Sequence, residues 1–171
     1  MRRRWSVADL LTVVRLPLAV AFFVVEASQW RALILLVAGT SDLLDGWVAR
    51  RLGASRLGAV LDPVADKLFM VAAAGAVLLS GRVDPLLLLG VLARDIVATL
   101  AFAWVMVIGR PAAIAARSSG KIVTVCQMAM LLAFVGNSPL IVPCAWGAAV
   151  SGLWAIIDYR LVANRARQRL D

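Results

Sequence analysis

The stretch Ser41–Lys67 reads SDLLDGWVARRLGASRLGAVLDPVADK and carries four aspartates, Asp42, Asp45, Asp62 and Asp66, between long apolar runs. Asp42 and Asp45 are three residues apart, Asp62 and Asp66 four, so on helices each pair shares a face. A turn at Gly53–Ser55 folds the two halves back as antiparallel helices. With the midpoint near residue 54, Asp42 then lies opposite Asp66, Asp45 opposite Asp62, and Arg50 opposite Gly58. Gly46 and Gly58 have no side chain, which lets a helix or a ligand approach closely.

The rest of the chain explains why such a cluster is costly. Of 171 residues, 63% are hydrophobic, and the mean hydropathy is +0.90. That places the protein among membrane proteins of single-domain length, with one domain over 1–171. Lys and Arg number 18 against 10 Asp and Glu, a net charge of +8. The basic residues are dispersed between apolar runs, which suits anionic headgroups and phosphate-bearing substrates and not nucleic acid. The basic C-terminal tail reads the same way, as a membrane-surface helix. The chain has no histidine, which excludes imidazole bases, histidine-ligated metals and Ser-His catalysis. Cys126 and Cys144 sit in apolar runs and read as core thiols. The start, MRRRWSVADLLTVVRLPLAV, has Arg15 and Pro17 inside its apolar part and reads as a retained first helix, not a signal peptide.

A bilayer crossing needs about 20 mostly apolar residues. Six segments qualify: 8–26, 31–51, 58–80, 85–108, 119–136 and 139–163. The expected fold is therefore all-α, a polytopic bundle of six transmembrane helices. Arg2–Arg4, Arg50, Arg51 and Arg56, Arg110, Arg117 and Lys121, and Arg160, Arg165, Arg167 and Arg169 all fall on one side of such a bundle. Only Arg31 and Arg82 fall on the other. The positive-inside rule makes the first side cytoplasmic, with both termini there. Trp5, Trp30 and Trp47, near span ends, read as interfacial anchors.

A carboxylate at mid-membrane costs about 2.5–3.5 kcal/mol on insertion scales, so four would cost roughly 10 kcal/mol uncompensated. Arg50 and Lys67 offset two charges and no more. An all-oxygen set of this kind suits Mg²⁺, Mn²⁺ or Ca²⁺, and paired helices bearing aspartates can hold two ions about 3.5–4 Å apart for phosphoryl displacement. A structural ion-pair network or a small cation transporter is the competing reading. Transporters, however, place their charges on broken helices near the midplane, and this cluster brackets a cytoplasmic turn.

The residues Asp42, Asp45, Gly46, Ala49, Arg50, Gly58, Asp62 and Asp66 resemble the signature of the CDP-alcohol phosphatidyltransferases: Asp-x-x-Asp-Gly-x-x-Ala-Arg, seven or eight residues, then Gly-x-x-x-Asp-x-x-x-Asp. The gap after Arg50 is seven. The resemblance implies transfer of a phosphatidyl unit from a CDP-linked lipid to an acceptor hydroxyl with release of CMP. It implies Asp42, Asp45, Asp62 and Asp66 as ligands of two Mg²⁺ or Mn²⁺ ions, and Asp66 as general base. It implies Asp42, Gly46, Arg50 and Gly58 as the contacts to the CDP moiety. It also suggests a homodimer in a bacterial inner or cell membrane, with the active site on the cytoplasmic side.

Three shorter stretches point to the acceptor. LLTVVRLPLAV (Leu10–Val20), LARDIVATLAF (Leu92–Phe102) and SGKIVTVCQM (Ser119–Met128) resemble segments of the phosphatidylglycerophosphate synthase and cardiolipin synthase branch. Arg94, Arg117 and Lys121 together would bind a phosphorylated acceptor, with glycerol 3-phosphate first and phosphatidylglycerol as the alternative. The adjacent Arg94 and Asp95 are a pairing associated with the cardiolipin branch. Structural roles compete: Arg117 and Lys121 as topology determinants, Asp95 as the partner of a neighbouring arginine.

Overall fold

Six helices follow one another along the chain: α1 (Val7–Val24), α2 (Ser28–Leu52), α3 (Gly58–Leu79), α4 (Pro85–Ile108), α5 (Ser118–Val135) and α6 (Ile141–Arg167). The computed structural model describes residues 7–52, 58–108 and 118–167, with side chains described over 14–41, 64–101 and 120–160 and at 44, 103 and 104. There is no strand among the described residues. The expected segments and the helices agree closely, and 85–108 coincides with α4.

Local chemistry sets the helix ends. Asp84 caps α4: its Oδ1 accepts from the amides of Leu86 at 2.8 Å and Leu87 at 3.3 Å. Pro85 follows at the first helical position, where a missing N–H costs nothing. Gly81, with φ of +66°, takes the left-handed conformation just after α3. Asn137 does the same after α5, at φ of +51°, and the Ser138 amide returns to the Ala133 carbonyl at 2.9 Å in a Schellman-type closure. Arg82 completes that terminus, donating from Nη1 to the Phe134 carbonyl at 3.0 Å and from Nη2 to the Ser138 carbonyl at 2.8 Å. One of the two basic residues expected on the sparsely charged side is thus a helix cap.

The helices form two compact units. The first comprises α1–α3 with residues 135–137; the second comprises α4–α6 with their flanking turns. In the first, α1 packs on both α2 and α3. Phe22 of α1 meets Phe69 of α3 with ring centroids 5.6 Å apart and tilted by 56°. The Arg31 guanidinium lies 5.9 Å from the Phe22 centroid, a cation–π contact. Gly75 leaves room for the Phe23 ring, which a Cβ there would meet at 3.0 Å. In the second unit α4 packs on α6. The approach is close because the facing residues are small: a Cβ on Gly90 would meet Ala149 at 3.3 Å, and one on Gly152 would meet the Arg94 Cβ at 3.5 Å.

In both units small residues are frequent inside, beside larger ones such as Phe22 and Leu131, and large aliphatic residues are frequent outside. Alanine dominates the buried positions: Ala73, Ala76, Ala145, Ala148 and Ala155 are nearly or wholly inaccessible. Large aliphatic residues instead face outward, with Leu79 75% and Leu86 79% exposed. Such surfaces are unfavourable in water and suited to lipid, where helices associate through small residues. Among the described residues, Ile141–Arg160 is apolar and long enough, at 20 residues, to cross a bilayer; Val14–Val24 and Gly120–Val135 are shorter apolar helices. Both cysteines are free thiols, but each is half-buried and not in the core expected from its apolar run.

Candidate active site

The four aspartates fall on two helices of the first unit. Asp42 and Asp45 lie in the C-terminal half of α2, and Asp62 and Asp66 in the first turns of α3. Gly46 and Arg50 follow on α2, and Gly58 opens α3. Helicity at both places makes the three- and four-residue spacings into shared faces. The side chains of Asp42, Asp45, Arg50 and Asp62 lie outside the described residues, as does the turn 53–57, so the convergence expected from the sequence falls outside them too. Asp66 is exposed and engaged in a polar interaction. Among the described residues no group of three potential metal ligands occurs. The donor set itself, four carboxylates in a chain without histidine, fits a hard divalent cation. Arg15, inside α1 of the same unit, is 3% exposed and engaged with a neighbour.

A second cluster of polar groups lies within the other unit, and it is internally bonded. Arg94 of α4 donates from Nη1 to Asp95 Oδ1 at 2.8 Å and from Nη2 to the Tyr159 hydroxyl of α6 at 3.3 Å. Gln127 of α5 donates its Nε2 to Asp95 Oδ2 at 2.6 Å and to the Val91 carbonyl at 3.0 Å. Asp95 and Gln127 are buried, at 5% and 2% exposed. Asp95 thus has the structural role expected of it from sequence, as the partner of a neighbouring arginine. Lys121, next to Gly120 on α5, is exposed. Arg117 lies outside the described residues.

This cluster gives a physical account of the stretch Gly120–Gln127. At Gly120, a Cβ would collide with the Arg94 guanidinium and come within 2.8 Å of the Tyr159 hydroxyl. The Thr124 hydroxyl turns back to the Gly120 carbonyl at 3.1 Å, satisfying itself within the helix. Gln127 then reaches α4. Sequence reasoning singled out Arg94 and Asp95 but gave Tyr159 no part, since a tyrosine at the end of an apolar span is most often an interfacial residue.

The sequence model of the CDP-alcohol phosphatidyltransferases matches residues 5–157, which include the aspartate pattern and most of both helical units. The chain belongs to the CDP-alcohol phosphatidyltransferase family. Two relatives named CDP-diacylglycerol–glycerol-3-phosphate 3-phosphatidyltransferase resemble it over nearly their full length. The one from Escherichia coli is 33% identical over 180 residues, 95% of this chain and 97% of that one. The one from Salmonella typhimurium is 32% identical over 178 residues, 94% of this chain and 96% of that one. A Mycobacterium tuberculosis protein provisionally named a cardiolipin synthase is 42% identical over 106 residues, 58% of this chain. Against that protein the chain spans about half the relative's length, 51%. No solved structure matches the chain. This phosphatidyltransferase-family chain thus combines a carboxylate motif in α2–α3 with an arginine-centred network in α4–α6.

Proposed function

We propose that the protein is an integral membrane phosphatidyltransferase that moves the phosphatidyl group of CDP-diacylglycerol to the hydroxyl of glycerol 3-phosphate, releasing CMP. The observation that carries this reading is the coincidence, in one chain, of the full aspartate signature with near-full-length similarity to proteins of that name. Asp42, Asp45, Asp62 and Asp66 would hold Mg²⁺ or Mn²⁺, whose charge offsets that of the pyrophosphate and of the departing CMP. Gly46 and Gly58 leave room for the nucleotide, and Arg50 presents a fork of donors to its phosphates. Asp66 takes the proton of the acceptor hydroxyl as its oxygen bonds to the lipid-bearing phosphorus and the bond from that phosphorus to CMP breaks. Arg94, Arg117 and Lys121 bind the acceptor's own phosphate.

The helices are read as six crossings with both termini cytoplasmic and the reaction at the cytoplasmic face of a bacterial cell membrane. Helices of 18–27 residues are about 27–40 Å long, enough for a hydrocarbon core of about 30 Å. The outward aliphatic residues and the one-sided distribution of arginine support the same reading. Cardiolipin synthesis with phosphatidylglycerol as acceptor is a second reading, favoured by the Arg94–Asp95 pair and the mycobacterial similarity.

The test is CMP release by the detergent-solubilised protein with CDP-diacylglycerol, Mg²⁺ or Mn²⁺, and each acceptor in turn. Turnover with glycerol 3-phosphate is the expected result. Turnover with phosphatidylglycerol alone replaces the acceptor, and no CMP with any acceptor defeats the enzymatic reading.

A further inference from the structure

Three helices of the second unit spend polar groups on one guanidinium. Asp95 holds Nη1 of Arg94, the Tyr159 hydroxyl holds Nη2, and Gln127 fixes Asp95 from behind while anchored on the Val91 carbonyl. Gly120 supplies the space in which the guanidinium and the phenol meet. The arginine so restrained has not exhausted its donors. A guanidinium carries five N–H groups, and these two bonds use two of them. Its Nε is buried and donates to nothing among the described residues. A buried donor without an acceptor is costly, and its retention calls for a reason. A ligand oxyanion is the acceptor such a fork of donors fits best.

Tyr159 is the chain's single tyrosine. A neutral hydroxyl there restrains the arginine without adding negative charge. A second carboxylate in its place would leave the cluster net negative and repel an anion. Gln127, by donating to the far oxygen of Asp95, draws part of that carboxylate's charge away from Arg94. The arrangement orients a cation and limits its neutralisation.

We propose that Tyr159 is a positioning residue: with Asp95 and Gln127 it sets the Arg94 guanidinium so that its remaining N–H donors receive the phosphate of the acceptor substrate. The inference rests on the acceptor-binding role of Arg94 proposed above and adds the device that makes that arginine ready before the ligand arrives, sparing the rotamer freedom it would otherwise lose on binding.

The full chain in detergent decides it through two variants. Tyr159→Phe keeps the ring and removes the hydroxyl. Gly120→Ala keeps the hydroxyl in the chain but crowds both the guanidinium and the phenol, so that their contact cannot persist as it is. Binding of inorganic phosphate is measured by titration calorimetry, which needs no turnover. The KM values for CDP-diacylglycerol and for whichever acceptor supports CMP release are measured beside it, together with the unfolding midpoint. Tyr159→Phe is expected to weaken phosphate binding and raise the acceptor KM by roughly three- to tenfold, less than the full worth of a hydrogen bond to a charged group because the hydroxyl acts on the phosphate only through Arg94. The KM for CDP-diacylglycerol should be unchanged and the midpoint close to that of the parent. Gly120→Ala should reproduce the same split. Undiminished phosphate binding in both variants, a change confined to the midpoint, or a parent protein that binds no phosphate overturns the proposal. Failure of the functional reading shows separately, as no CMP with any acceptor.

Discussion

From Asp42 to Asp66, α2 and α3 carry four carboxylates in 25 residues; around Arg94, α4, α5 and α6 contribute one guanidinium, one carboxylate, one amide and one phenol. The first set accumulates like charge along two helices, which the proposed metal ions would offset. The second is close to neutral, and its members bond one another while leaving donors of Arg94 unused. Like charges at such short spacing, if they converge as proposed, would be held together at a cost that a cation and a reacting ligand offset. A network of this kind points to orientation: it fixes one side chain that would otherwise be mobile. In the function proposed above, the two units of this phosphatidyltransferase-family protein divide the labour by how they carry charge.

The comparison can be broken most severely at the carboxylates. Asp62→Asn keeps the size and removes the charge. CMP release should fall by at least about a hundredfold, since loss of even an outer-shell group typically costs 10–100-fold. Expression and the unfolding midpoint should be those of the parent, because the remaining carboxylates repel one another less. Near-normal turnover would mean that the cluster is structural, and the contrast with α4–α6 would vanish.

A smaller effect tests the network. Asp95→Leu leaves the Arg94 charge without its counter-ion in an apolar surrounding and should cost about 3–5 kcal/mol, read as a lower unfolding midpoint in detergent. Replacing both, Arg94→Leu with Asp95→Leu, should restore most of that stability and none of the activity. A single variant as stable as the parent would show that Arg94 is not neutralised within the unit.

The smallest expected effect separates this network from an arginine with a purely structural task. Arg82 is bonded to two backbone carbonyls at the α5 terminus. Arg82→Ala should cost about 1–2 kcal/mol of stability and leave both KM values within twofold. A change in the acceptor KM would give Arg82 a part in the chemistry and erase the distinction between the two arginines.

Helix positions were legible because an apolar run between charged turns has few alternatives in lipid. α6 overran its expected end, 163, and reaches Arg167, since hydropathy does not register that arginine and alanine continue a helix readily outside the apolar zone. Which apolar face is buried was not legible. A helix that is apolar all round gives no amphipathic signal, and the choice fell to small residues such as Ala145, Ala149 and Gly152, which permit close approach.

The sequence by itself determined the family, the six helices and the four carboxylates, because each depends on residue type at short and fixed spacing. Tertiary structure alone decided what Arg94 touches. Asp95 is its neighbour in the chain, but Tyr159 stands 65 residues away and Gln127 reaches Asp95 across 32. Contacts over such separations depend on how α4, α5 and α6 pack, and no local spacing encodes them. The same packing gave Gly120 its meaning, as the point where a side chain would have stood in the place of the guanidinium.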